Sequence, residues 1–359
     1  MIAKEILQYD ESLVSSIMSG HRWVCFGAGR CFREFIKKYC VQRKMLPLPE
    51  CCFDSNQDLW GQEISNVRIE SPDLLTTHKY DDAMIVVCSV LPYSIISYLN
   101  TFVYGGGMAA WSLLQIEMYL YYKENTESFE KVYALIQDDV SRYTFRSYLS
   151  EVMAGHIYYP KLFSPYPYWG NDVIKHLSAG ESIVYAGVAK GESLDRALQL
   201  NRGVRIHGFE PNAYQYEELK KKYKNMNNIS LYNYGLSDEE GESKFIDTQG
   251  YSSRMVNDDD NVQVNSKDML SKIMLQTVDN VVEGNIDLIA FDIEGAEVRA
   301  LYGCEKSIKQ YHPRLAISVY HKVEHYLEIP LLINAFSNDY KLYFRHHSMA
   351  PAESVIYAI

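Results

Sequence analysis

The stretch Ser182–Asn212, "SIVYAGVAKGESLDRALQLNRGVRIHGFEPN", decides the fold. An apolar run enters two glycines, Gly187 and Gly191, and continues into a segment with helical spacing. A second apolar run then closes on the acidic Glu210. Strand, glycine turn, helix and strand in that order make a parallel crossover, because parallel neighbours need a long connection laid over one face of the sheet. Such sheets bind ligands beyond the carboxyl ends of their strands. Glycine lets the backbone approach a ligand closely, and the following helix N-terminus offers free amides to an anionic group. Glu210 follows Gly187 by 23 positions, a spacing that suits a carboxylate accepting hydrogen bonds from the ribose hydroxyls of a nucleotide. A structural turn followed by a solvated Glu is the plainer alternative. Tyr185 is the misfit, since a cofactor-binding strand often carries a carboxylate there.

The pattern repeats downstream. "ISLYNYGLS" (229–237), "IDLIAFDIE" (286–294) and "RLAISVYH" (314–321) are expected strands, and "YKLYFRHHS" (340–348) with "SVIYAI" (354–359) closes the chain as two neighbouring strands. Asp292 and Glu294 are two apart on a strand end, so their side chains share a side. Gly295 permits a sharp turn into a helix whose first turn holds Glu297. Acids crowded at the end of an apolar strand are costly unless they bind something or accept protons; a structural N-cap is the alternative. His321 ends the next strand and faces the same cleft or serves structure alone. "GYSSRMVNDDDNVQVN" (250–265) lacks apolar periodicity and reads as a surface loop or lid.

Upstream, "RWVCFGAG", "LPECCFDSN" and "AMIVVCSV" are expected strands, with helical segments "RCFREFIKKYC" and "YSIISYLNTFV" between and after them. This is a second, smaller doubly wound unit. Gly27 and Gly29 begin a GxGxxG pattern whose third place is held by Phe32, and Asp54 ends the next strand, placed for a ribose contact. Residues 127–155 have helical spacing, no Pro and no Gly before the last position, and so form one long helix or a pair of helices. The Pro- and aromatic-rich 158–172 is irregular, flooring a cleft or sealing a junction. The expected divisions are therefore 1–122, a helical junction 123–170, and 171–359.

Composition narrows the function classes. Hydrophobic residues at 47% and charged residues at 23% are those of an ordinary globular protein. A net charge of −11 argues against a broad nucleic-acid footprint, and Lys220, Lys221, Lys222 and Lys224 read as the solvated face of a helix. The N-terminus has no signal-peptide pattern, and no apolar run approaches the roughly 20 residues that span a bilayer. Seven cysteines without a CxxC pair form neither a disulfide framework nor a zinc spacing. Buried thiols in a reducing cytoplasm are expected, with no metal site.

"GFEPNAYQYEELKK", "YGLSDEEGESKF", "SSR", "IDLIAFDIEGAEVRALYGCEKSIKQYHPRLAISVYHK" and the terminal "SVIYAI" together resemble the FkbM-type family of S-adenosylmethionine-dependent methyltransferases, over roughly residues 140–359. The resemblance implies a class I methyltransferase fold ending in an antiparallel strand, and O-methylation of a hydroxyl on a sugar, polysaccharide precursor or secondary metabolite. Gly187 and Gly191 would line the methionine and ribose part of the cofactor, with Tyr185 beside them and Lys190 meeting the methionine carboxylate or solvent. Glu210 would hold the ribose hydroxyls, and Ser237 with Asp238 would sit near the adenine. Asp292, Glu294 and His321 would face the acceptor, with Asp292 or His321 as the base, and Ser252 and Ser253 would border it. The chain departs from the family's usual Asp-x-Gly-Ala-Asn-x-Gly at Tyr185, Val188 and Ala189. The N-terminal unit resembles Rossmann-like sugar-nucleotide-associated modules, which implies a bound nucleotide or a docking role. A non-catalytic nucleotide-binding protein with a degenerate methyltransferase domain is the rival reading. Redox or isomerase chemistry in the first unit lacks a TyrxxxLys pair. A homo-oligomer is compatible with the sequence.

Overall fold

The computed structural model describes residues 11–89, 93–102, 110–154, 159–247, 254–256 and 269–359. Contacts divide the chain into two units. One comprises Met1–Thr126 and Tyr148–Ile157, the other Glu127–Ser147 and Tyr158–Ile359. The segment expected to be a separate junction is thus shared out between them.

The first unit holds β1 (Trp23–Phe26), β2 (Cys52–Phe53), β3 (Glu63–Ile64), β4 (Val67–Glu70), β5 (Met84–Val87) and β6 (Ala110–Ser112), in the order β3-β4-β2-β1-β5-β6. Only β3 runs antiparallel to its neighbour. Val24, Phe53, Ile85 and Val87 form its core with Tyr80. Phe32, in the place of a third glycine, is fully buried, so its ring occupies space that a glycine would leave to a close helix approach.

The second unit holds β7 (Ser182–Ala186), β8 (Arg205–Phe209), β9 (Ile229–Tyr232), β10 (Gly235–Leu236), β11 (Gly241–Asp247), β12 (Arg254–Val256), β13 (Met269–Gln276), β14 (Leu288–Phe291), β15 (Arg314–Ser318), β16 (Leu342–His346) and β17 (Ser354–Ala358). Seven of them form a sheet in the order β16-β17-β15-β14-β7-β8-β9. The strands β15, β14, β7, β8 and β9 are mutually parallel, and β17 is antiparallel to both its neighbours. The antiparallel strand is therefore inserted one place from the edge rather than ending the sheet. Every residue of β7, β14 and β17 is buried, which is why these strands read as unbroken apolar runs. The helix Glu192–Leu200 lays Leu194, Ala197 and Leu198 on the sheet at helical spacing.

Two segments differ from the sequence expectation, and a third takes one of its two expected forms. "ISLYNYGLS" is two strands, because the chain turns at Asn233, whose side-chain amide donates to the carbonyls of Glu210 (2.9 Å) and Pro211 (3.0 Å). The second piece, β10, joins a separate four-stranded sheet, β10-β13-β11-β12. Within the expected loop 250–265, Arg254–Val256 form β12 on the edge of β11, while Ser252, Ser253 and Asp258, Asp259 and Asp260 lie outside the described residues. The helical stretch is a pair, Thr126–Leu135 and Asp139–Met153. Between them, Asp138 meets the buried Arg345 of β16 at 2.9 Å, and Asp172 meets the same guanidinium at 2.6 Å. The polar head of Arg345, only 3% exposed, is tolerated because both carboxylates and Ser141 satisfy it.

Candidate functional site

A cleft of 280 Å³ opens at the carboxyl ends of β7, β8, β14 and β15, lined by Gly187, Glu210, Asp292, Glu294, Tyr320 and Glu353 among others. Its first wall is the turn after β7. Gly187 has φ +90°, and a Cβ there would drive into the carbonyl of Asp292 at the end of β14, well inside van der Waals contact. Only glycine lets these two strand ends approach so closely. Ala189, also left-handed at φ +47°, turns its N–H onto Glu210 Oε2 (2.8 Å). The other oxygen of Glu210 accepts from the N–H of Asn212 (2.9 Å). The acid at the end of β8 therefore fixes the glycine turn after β7 as well as lining the cleft. Gly191, φ +86°, caps the helix Glu192–Leu200, where a Cβ would meet the Tyr223 hydroxyl at 2.5 Å.

The sequence places Tyr185 in the cofactor site, and the structure does not. Its side chain is 3% exposed and lies outside the cleft lining. The ring packs edge-on against Tyr168 (centroids 5.4 Å apart) and Trp169 (5.3 Å), and the hydroxyl donates to Ser193 Oγ (3.0 Å). The residue is a core aromatic, and Pro-rich 158–172, the source of Tyr168 and Trp169, is what it packs against. Ser237 and Asp238 also fall outside the lining: Ser237 is fully buried and donates to Asp238, which pairs with Arg299 at 2.7 Å. Tyr234, Gly235 and Leu236 line the cleft instead, because the turn at Asn233 brings them in.

The turn after β14 carries the acids. Asp292 accepts a hydrogen bond from the Tyr320 hydroxyl at 3.0 Å, and Glu294 has φ +54°, a conformation that costs a non-glycine residue on the order of 1 kcal/mol. Gly295 at φ +100° completes the reversal. Glu297 is fully buried, and its Oε1 accepts from the N–H of Ile293 (2.9 Å), closing the turn from the next helix.

His321 lies among these acids. Its Nδ1 is 2.8 Å from Glu297 Oε1, and its Nε2 is 3.4 Å from Asp292 Oδ1 and 3.8 Å from Glu294 Oε2. The ring is close to Glu297 without good hydrogen-bond alignment, so the attraction is chiefly coulombic. Burial alone would drive the imidazole neutral, but Glu297, with Asp292 and Glu294, outweighs it and raises the pKa to about 9. Reciprocally, burial favours the neutral acid at Glu297, and the neighbouring His321 and His325 overcome it and bring it to about 2. The surrounding acids thus hold His321 toward its charged form.

Tyr320 and Glu353 are among the cleft residues that escaped the sequence reading. Tyr320 precedes His321 and bridges Asp292 to Glu353, whose Oε1 is 3.3 Å from the same hydroxyl. Glu353, φ +68°, stands just before β17. Burial and the charge of Asp292 raise it to about 7, against the opposing pull of His321. No motif marks it: only the return of β17 beside β15 brings it to the site.

In the first unit, Asp54 repeats the device of Glu210. It accepts from the N–H of Ala28 (2.6 Å) and of Asn56 (2.8 Å), with Gly27 at φ +97° and Gly29 capping the helix Arg30–Phe35. Among the described residues no cluster of His, Cys, Asp and Glu could hold a metal ion, and no helix is long and apolar enough to cross a membrane.

A strand-end cleft with a glycine turn, a Glu at the next strand and an acidic turn opposite is the arrangement to compare with known proteins. Residues 186–342 match the methyltransferase FkbM domain. The matched segment runs from the end of β7 to the start of β16, and contains every cleft residue named above except Glu353. Over the whole chain the fold is similar to the crystal structure of methyltransferase FkbM from Methylobacillus flagellatus KT, with a TM-score of 0.64, 18% identity, 100% of this chain and 99% of that one covered. Aeropyrum pernix fibrillarin, solved with natively bound S-adenosyl-L-methionine, aligns over 51% of this chain and 67% of its own at 12% identity, with a TM-score of 0.31. No curated protein sequence matches the chain.

Proposed function

We propose that the second unit is an S-adenosylmethionine-dependent O-methyltransferase acting on a hydroxyl of a sugar, polysaccharide precursor or secondary metabolite. The observation that carries the reading is the coincidence of the FkbM-matching segment with the cleft: Gly187, Glu210 and Asp292 all lie in both. The residues fit the cofactor. Gly187 and Glu210 both line the cleft, the carboxylate at the end of β8 being an acceptor suited to ribose hydroxyls, and Phe209 and Leu236 offer apolar walls. With Tyr185 turned into the core, the methionine end depends on the backbone of 187–191 and on Lys190. Bound S-adenosylmethionine supplies an electrophilic methyl group, and the protein's part is alignment and proton removal.

Asp292 is the proton acceptor in this reading. His321 Nε2 stands 3.4 Å from its Oδ1, and Glu294 orients the acceptor hydroxyl from the other side of the turn. The test is calorimetric titration with S-adenosylmethionine, followed by assay of S-adenosylhomocysteine release with panels of hydroxylated sugars and metabolites. Wild-type binding and turnover are expected, with Asp292→Asn retaining binding and losing turnover. Absence of binding at millimolar cofactor refutes the enzyme reading in favour of a degenerate domain. Normal turnover by the Asn variant refutes the base.

A further inference from the structure

The cleft contains a group that the methyl-transfer reading leaves unused. The Tyr320 hydroxyl stands 3.0 Å from Asp292 Oδ1 and 3.3 Å from Glu353 Oε1. A phenol carries one proton and an ionised carboxylate carries none. With both acids ionised, Tyr320 can donate to only one of them, and the other faces it lone pair to lone pair. One added proton closes the chain, with Glu353 donating to Tyr320 and Tyr320 donating to Asp292. Glu353, pushed up by burial and by the nearby Asp292, is the acid that takes the added proton.

The geometry is held from several sides. Glu353 is kept at φ +68°, and its backbone carbonyl accepts from the N–H of His347 at 2.8 Å. Facing it are Asp292 and Glu294 from the turn after β14, Tyr320 and His321 from the end of β15, the buried phenols Tyr168 and Tyr185, and Lys190 lining the same cleft. Tyr320 itself does not ionise: burial and the surrounding acids raise its pKa far above the ordinary phenol range. It can therefore relay a proton only by accepting one as it gives its own away.

We propose that Asp292, Tyr320 and Glu353 form a proton relay that connects the base of the cleft to solvent. The proposal rests on the methyl-transfer reading for the origin of the proton. The acceptor hydroxyl would give its proton to Asp292 as its oxygen takes the methyl group that bound S-adenosylmethionine would supply, the sulfur–methyl bond breaking with its electron pair left on a neutral thioether. Asp292 then gives it to the Tyr320 oxygen while the original phenolic proton passes to an ionised Glu353. Asp292 is restored as a carboxylate, and Glu353, partly exposed, releases the proton to water. A group with its titration near 7 both accepts and releases at neutral pH.

The test needs neither cofactor nor acceptor. Carbon-13 NMR of the full chain, labelled at the Asp and Glu side-chain carboxyls, would follow Asp292 and Glu353 from pH 4 to 9, assigned with Asp292→Asn and Glu353→Gln. In wild type, Glu353 is expected to titrate near 7 and the Asp292 resonance to move with it. Tyr320→Phe should abolish that movement of Asp292, and Asp292→Asn should lower the Glu353 midpoint by at least a unit. Glu353 titrating in the ordinary carboxylate range, or an Asp292 response that survives in Tyr320→Phe, overturns the relay. Should Asp292→Asn not fold, the phenylalanine variant decides alone. Failure of the enzyme reading would show separately, as absent cofactor binding in a measurement that does not involve Glu353.

Discussion

Replacing Glu297 by Gln should uncouple His321 from its charge, and the effect should depend on pH in a defined way. His321 rises from the ordinary imidazole value of 6.5 to about 9, a shift of 2.5 that corresponds to on the order of 3 kcal/mol of preference for the charged form in the folded state. Because the folded pKa is raised, this stabilisation is fully present below 6.5 and is lost as pH rises through about 9. Gln keeps the volume and removes the largest favourable interaction, leaving burial opposed only by Asp292 and Glu294. The His321 pKa should then fall by about 2 units. Urea unfolding should show the variant less stable by about 2 to 3 kcal/mol near pH 6, with the gap closing above pH 9, where wild-type His321 is itself neutral and Glu297 is left buried without its partner. Long-range ¹H–¹⁵N spectra of the histidine side chains give the pKa directly. A stability difference constant from pH 6 to 10, or a His321 that still titrates near 9 in the variant, would refute the electrostatic account and leave only packing.

Gly187→Ala should be among the most damaging single-methyl additions in the second unit. The new Cβ meets the backbone of Asp292 at a positive φ, and neither can yield without opening β7 from β14, so a loss of about 3 kcal/mol or more is expected by thermal unfolding, together with loss of cofactor binding. Tyr185→Phe should cost about 1 kcal/mol for the hydrogen bond to Ser193 and leave cofactor affinity unchanged in calorimetry. Tyr185→Asp, which restores the carboxylate usual at this point of the resembled family, should lower the melting temperature and fail to tighten binding, because it buries an unpaired charge among Tyr168 and Trp169; tighter binding would show that the position reaches the cleft. Glu210→Gln should weaken cofactor binding at least tenfold and loosen the turn at Ala189, seen as faster amide exchange there.

What the sequence alone determined lies along single strands and their immediate turns. The parallel crossover of Ser182–Asn212 was legible because wholly buried strands read as apolar runs and because φ values near +90° demand glycine at 187 and 191. Asp292, Glu294 and His321 were legible as strand-end residues; the two acids line the cleft, and His321 lies beside them without lining it. The charge of His321 was not legible, since it depends on Glu297 arriving from the next helix and on both being sealed from water. Tyr185 looked like an altered cofactor residue because a strand pattern says which residues alternate but not what packs on each face, and the face that receives it is built by Tyr168 and Trp169. Ser237 and Asp238 were placed one step too far along, as the turn at Asn233 is fixed by carbonyls of another strand end. Glu353 and Tyr320 became a pair only when β17 returned antiparallel beside β15. Local periodicity thus determined the strands and the glycine turns. Contacts between residues distant in sequence, which set burial and therefore the cost of each charge, decided which acids act together.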